Sequence, residues 1–386
     1  MSKNPKIIFY PVDNGNMTLI KLNDNTTILV DMYIRKKCDI KNKECYEVLP
    51  HLKENLEKDS KGRYFVDAFI LTHLDVDHIG GLEDNFYLGS LDDYKDKDKD
   101  KIVIKETWSS ERFWKRETDK ITLSTDAKAY NKEMRRRVKL HKNCGEKIQN
   151  QGDKAIIIGK KDGEHNKIIY EIGTFVSKVN NKNINNFKIN ILGPLEQQEN
   201  EQDEDFNEKN RGSVILQLEI IVGGYTNKVL LTGDAEVDVC EYMNEEYESD
   251  KLEYDILCSP HHCSMASLGR KENAKEKGGK YTISEDAKEA LSHAKEGAII
   301  ISSSKEILND KNNPPHYEAM QEYKKILDPK SGEFRCTGTY PKKNDVEPIV
   351  IEFTSKGTQL KTGGSKNKLL AGTESSSKNM YPHGKN

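Results

Sequence analysis

Short apolar runs, each closed by a polar or turn-forming cluster, recur along the chain and predict strands. Residues 7–10, 17–22 and 27–31 form three such runs in succession. Asp13-Asn-Gly-Asn16 and Asn23-Asp-Asn25 supply the turns between them. Over residues 38–61 the spacing becomes helical, with Val48, Leu49, Leu52 and Leu56 on one face. Residues 64–71 and 102–108 return to strand character, and residues 112–147 read as helix. Residues 187–194 predict a strand and turn. Residues 213–222 and 228–234 predict a hairpin across Gly223-Gly-Tyr-Thr-Asn227. Two more buried strands follow at 255–258 and 297–302, and residues 348–353 predict the last one.

The polar intervals set the domain plan. Residues 91–101 alternate Lys with Asp and predict a solvated loop, and residues 196–210 are acidic and polar. The expectation is one domain over residues 1–360, with charged or helical insertions near 91–101, 112–185 and 196–210. A disordered tail is expected over 361–386. No short internal repeat is present, although strands cluster in each half.

Composition narrows the function classes. A formal net charge of −3 excludes a global electrostatic hold on nucleic acid. The run Arg135-Arg-Arg137 is the one local basic stretch suited to the backbone of DNA or RNA, and an exposed helix face is the plainer reading of it. No apolar segment approaches a signal peptide or a membrane span. Seven cysteines without a regular framework suit reduced thiols. Together these features predict a cytoplasmic location and no membrane partner.

The candidate chemistry lies at strand ends. Phe69-Ile-Leu is followed by Thr72, His73, Asp75, Asp77 and His78, and then by Gly80-Gly81. Nitrogen and carboxylate donors this dense need a cation between them, and the mixed donor set suits zinc or manganese. Asp234 closes the strand after Gly233 and is the candidate bridge between two ions. Asp255-Ile-Leu-Cys-Ser-Pro-His-His262 ends in adjacent histidines, and His316 sits in a later loop. Asp31 closes its strand either as a turn-forming residue or as a hydrogen-bond acceptor for a ligating imidazole, a role a backbone carbonyl could equally fill. His141 and His165 are further candidate ligands that lack supporting neighbours.

The run His73-x-Asp-x-Asp-His-x-Gly-Gly81 resembles the signature of the metallo-β-lactamase superfamily. Thr232-Gly-Asp234 resembles that superfamily's later metal-binding aspartate. Leu257-Cys-Ser-Pro-His-His-Cys-Ser264 resembles the Pro-His-His-Gly-Ser element of a branch that includes the nuclease-like domain of the DNA-uptake protein ComEC. The opening Val12-Asp-Asn-Gly-Asn16 and the segment Asn210-Arg-Gly-Ser213 are similar to parts of the same branch. The resemblance implies an α/β (α+β) fold: an αββα sandwich of two mixed sheets flanked by helices, with the site at one edge. It also implies two divalent ions, Zn or Mn, held by His73, Asp75, Asp77, His78, Asp234 and His261. Three departures stand out: Cys263 replaces the usual Gly, Pro315-His316 reverses the usual order, and the middle histidine has no clear counterpart. Cys263 is expected either to crowd the loop or to offer a thiolate.

The expected activity is metal-dependent hydrolysis, first as a phosphodiesterase or nuclease using a metal-activated hydroxide. Asp77 would take a proton, and His262 or His316 would serve the leaving group. The alternatives are hydrolysis of a small molecule, such as a cyclic nucleotide, lactone or thioester, and a degenerate metal-binding module acting through a protein partner. A nuclease of this kind would also call for a regulatory protein partner.

Overall fold

In the buried strands successive side chains serve different layers, which explains why the runs are apolar throughout rather than alternating. The computed structural model describes residues 4–35, 46–115, 123–144, 151–161, 166–195, 209–272, 280–310 and 314–361. The first sheet contains β1 (Lys6–Phe9), β2 (Thr18–Lys21), β3 (Thr27–Val30), β4 (Tyr64–Ile70), β5 (Ile102–Ser110) and β6 (Lys154–Ile158). The second contains β7 (Phe187–Ile191), β8 (Leu216–Val222), β9 (Tyr225–Leu231), β10 (Tyr254–Cys258), β11 (Ala294–Ser302) and β12 (Glu333–Cys336). Strands β13 (Ile349–Thr354) and β14 (Gly357–Lys361) return to the first sheet, whose order is β14-β13-β1-β2-β3-β4-β5-β6 with Ile169–Tyr170 at its edge. The second runs β7 to β12 in chain order, with Phe175–Val176 beside β7.

Both sheets are mixed. In the first, β14, β13, β1, β2 and β3 pair antiparallel, and β3 to β6 pair parallel. In the second, β7, β8 and β9 are antiparallel, and β9 to β12 are parallel. Val229, Leu231, Ile256, Cys258, Ile299 and Ile301 point into the core shared by the two sheets. Their neighbours Leu230, Leu257 and Ile300 point the other way, against the helices α4 (Val237–Glu246), α5 (Glu285–Ala290) and α6 (Tyr317–Leu327). On the far side, α1 (Val48–Asn55) and α3 (Thr125–Cys144) cover the first sheet through Leu52, Tyr130, Met134 and Val138; the intervening α2 (Val76–Ile79) belongs to the loop after β4. The layers are therefore helix, sheet, sheet, helix, as the sequence leads one to expect.

Several boundaries differ from the sequence reading. The hairpin turn is only Gly223-Gly224, both with positive φ, so Tyr225, Thr226 and Asn227 belong to the strand. A two-residue turn of this kind matches the twist of its strands, and here glycine permits it. The chain does not end its strands at Phe353: β14 follows and takes Lys361 out of the expected tail. Within residues 112–185 the structure places α3 and β6. Residues 196–208, His165 and residues 362–386 lie outside the described residues. Among the described residues, no helix is long and apolar enough to cross a membrane.

Candidate metal centre

The parallel strands aim their carboxyl ends at one edge, and the loops there carry the donors. The two sheets meet at this edge, where the Val214 amide donates to the Thr72 carbonyl (3.0 Å). The loop after β4 contains α2, which carries Asp77 and His78. Gly81, with φ +89°, lets the chain turn on into the next helix. Asp234 follows β9 and His262 follows β10.

Asp77, His78, Asp234 and His262 each place one ligand atom within 4.8 Å of the others. His78 Nε2 lies 3.0 Å from Asp234 Oδ1, and His262 Nε2 lies 3.2 Å from Asp77 Oδ2 and 3.7 Å from Asp234 Oδ1. His78 Nε2 and Asp234 Oδ1 are both buried, yet neither is aligned for a hydrogen bond. Close, buried and misaligned donor atoms are what a shared cation would resolve.

The surrounding contacts fix the rings. Asp31 adopts φ +54° and is fully buried. Its Oδ1 accepts from the Thr72 amide (2.7 Å), while Oδ2 accepts from Thr72 Oγ1 (2.5 Å) and from His78 Nδ1 (2.9 Å). His78 therefore keeps a proton on Nδ1 and turns Nε2 to the cluster. His262 does the same, donating from Nδ1 to the Ser303 carbonyl (3.0 Å). A second bond of this kind orients a ligating imidazole and raises its basicity.

Electrostatics follow the geometry. Burial works to raise the Asp77 carboxyl, but the hydrogen bond from His262 and the nearby imidazoles hold it down at about 2. Asp234 is also buried, and the charges of His78 and His262 keep it well below the usual carboxylate range. Burial would lower His78, but Asp234 and Asp31 push it well above the ordinary histidine value. His73 is buried without so close a carboxylate, and its pKa falls.

The structure brings together some of the expected residues and not others. His73 stacks edge-on to His78 at 5.2 Å between ring centroids, and its Nδ1 is 3.9 Å from Asp75. Neither belongs to the four-residue group. His262 belongs to it and His261 does not: His261 Nε2 is 3.9 Å from Asp234, and its Nδ1 faces Glu236 at 3.5 Å. His316 is not one of the four; its Nδ1 accepts from the Met265 amide (3.2 Å), so its proton sits on Nε2. Burial lowers its pKa to about 4. His141 is not among the four donors and accepts from the Ala155 amide (3.4 Å).

Cys263 has φ +66°, the conformation glycine adopts freely, which explains the residue type usual there. Its thiol is buried among Leu257, Met265 and Tyr323, and burial raises its pKa. It is thus a core thiol and not the thiolate that proximity in sequence suggested. Sequence reasoning missed Glu236 and Ser303. Glu236 lies one turn past Asp234, and Ser303 directly follows a parallel strand; position at a strand end was the available signal for both.

Two arginines of the basic run, Arg136 and Arg137, pair within the molecule. Arg137 is 1% exposed, and its guanidinium bonds Glu133 (2.8 Å) and the carbonyls of Lys154 and Ile104 (3.0 and 3.1 Å). Arg136 pairs with Glu133 and Asp153, both at 2.7 Å.

No family model matches the chain, and no curated protein does. Among solved structures it is similar to a metal-dependent hydrolase of the β-lactamase superfamily, with 11% identity over 91% of this chain and 99% of the other and a TM-score of 0.36. It is also similar to BJP-1, a subclass B3 metallo-β-lactamase of Bradyrhizobium japonicum, with 12% identity over 84% and 94% of the two chains and a TM-score of 0.30. Unliganded yeast PDE1 matches at 12% identity over 86% and 96%, with a TM-score of 0.35.

Proposed function

We propose that this chain is a metal-dependent hydrolase whose substrate is a phosphodiester. The observation that carries the reading is the buried pair His78 Nε2 and Asp234 Oδ1, 3.0 Å apart without a hydrogen bond, beside the His262 Nε2 and the Asp77 carboxylate, which contact each other at 3.2 Å. These four residues would hold a divalent cation, Zn or Mn. When bound there, such a cation lowers the pKa of water and polarises a phosphoryl oxygen.

The chain's own residues would do the rest. Asp77, ionised at neutral pH and with its side chain 31% exposed, accepts a proton at the mouth of the site. His316 keeps a proton on Nε2 and donates a hydrogen bond to developing negative charge on a leaving oxygen. Asp31 and the Ser303 carbonyl hold the two ligating rings in their tautomers.

A second reading, hydrolysis of a small ester, lactone or thioester, is favoured by the internal pairing of Arg136 and Arg137, which withdraws the stretch proposed to track a polymer. Purified protein with Mn or Zn would be assayed on plasmid, single-stranded DNA, RNA, a chromogenic phosphodiester and a lactone. Cation-dependent phosphodiester cleavage that is lost in Asp234→Asn supports the first reading. Lactone turnover with every phosphodiester intact supports the second. Absence of bound cation under all conditions overturns both.

A further inference from the structure

The two donors that come from opposite sheets, Asp77 and His262, are joined by a second route that runs through the first turn of the chain. Ser303 accepts the Nδ1 proton of His262 on its carbonyl (3.0 Å) and donates its own hydroxyl to the carbonyl of Gly15 (2.6 Å). The next residue, Asn16, donates its amide to the carbonyl of Asp77 (3.0 Å). Asp77 Oδ2 then meets His262 Nε2 at 3.2 Å, which closes a ring of contacts between the sheets.

The turn itself is pinned on both sides. Asn14 donates from Nδ2 to the Pro314 carbonyl (2.8 Å) and accepts the Lys305 amide on Oδ1 (3.1 Å), so it ties the segment carrying Ser303 to the one leading into His316. Gly15 is required for close approach: a Cβ there would lie 2.9 Å from the Asp77 carbonyl oxygen and 2.5 Å from the Tyr33 ring. Ser303 is buried, and the seat of its hydroxyl is a backbone carbonyl rather than solvent.

We infer that Ser303 is a positioning residue: its carbonyl orients His262, and its hydroxyl, through the Asp13–Asn16 turn, sets the separation of His262 from Asp77 and so the size of the cation site. This rests on the reading of the four residues as a cation site. A hydroxyl that only filled space in the core would affect folding and leave the affinity of the folded protein for a cation alone.

The test is cation affinity rather than turnover. Ser303→Ala keeps the carbonyl and removes the link to Gly15. Equilibrium dialysis of Zn and Mn against wild type and variant, well below the unfolding temperature of each, should show affinity falling about 10- to 100-fold in the variant. Asn14→Ala releases the same turn from its other anchor, should weaken binding in the same direction, and serves alone if Ser303→Ala does not fold. Unchanged affinity in the folded variants overturns the positioning role while leaving the cation site standing. If wild type itself binds neither ion, the site reading falls and this inference falls with it.

Discussion

A carboxylate that receives three hydrogen bonds in the core has no spare geometry. Asp31 accepts two from Thr72 and one from His78, and it does so from a left-handed backbone that asparagine tolerates. Asp31→Asn therefore changes charge and acceptor capacity without a backbone penalty. One of the three donors loses its partner, which costs about 1–3 kcal/mol in urea unfolding, and Zn or Mn affinity falls by dialysis. At the same scale, His316 gives a sign for pH. Burial holds its folded value near 4, below the ordinary value of about 6.5. Between those limits the unfolded chain binds the extra proton, so this residue's contribution is complete above about 6.5 and is lost as pH falls toward 4. His316→Gln should flatten the decline in urea midpoint between pH 7 and 5; an unaltered decline would assign it to other groups. The two residues also differ in legibility. Asp31 was readable as a polar residue ending a strand near the ligand loop, whereas the choice of His262 over His261 was not, because adjacent histidines look alike until the left-handed turn at 261–263 separates their directions.

Elements were readable where periodicity was strong and misread where a turn or a helix face decided the matter. Strands β8 and β9 were visible, but their junction was placed too late, since Tyr225, Thr226 and Asn227 look like turn residues beside two glycines. The structure makes the glycines the whole turn, and they are not equivalent. A Cβ on Gly223 would meet the Ser355 Cβ at 2.6 Å, whereas Gly224 has open space. Both have positive φ, which costs an L-residue about 1–2 kcal/mol. Gly223→Ala should therefore destabilise more than Gly224→Ala in urea titrations, the excess reporting the clash with Ser355. Helix α3 was expected, but not which face Arg137 takes. Glu133 stands four residues before it, and the side chain turns inward to pair. Arg137→Ala leaves a buried carboxylate short of a partner and should cost on the order of 3 kcal/mol. A phosphate-binding arginine on the surface would give almost no change in stability.

For the whole molecule, the separate buried strands and the donors at their ends carried their own signals, while the layered architecture, with the site at one edge, followed from the resemblance. Distances between His78, Asp234 and His262 depend on how two sheets dock, and no local pattern encodes that. A cation held by these four donors, as proposed, would be part of the stability of the fold. At a free concentration of a hundred times its dissociation constant, a ligand specific to the native state adds about 2.7 kcal/mol. Chelator should lower the thermal midpoint, and returning Zn or Mn should restore it; a midpoint indifferent to both would argue against a cation in the native protein.

Strand β1 lies between β2 and β13, so its second edge is filled by a strand that follows all four donors in the sequence. A ribosome releases Asp77 and His78 before Asp234 and His262, and the first sheet is completed only when β13 and β14 have emerged. The four donors therefore meet beside a finished first sheet only after β14 has been made, and a polypeptide arrested between His78 and Asp234 would carry half of them.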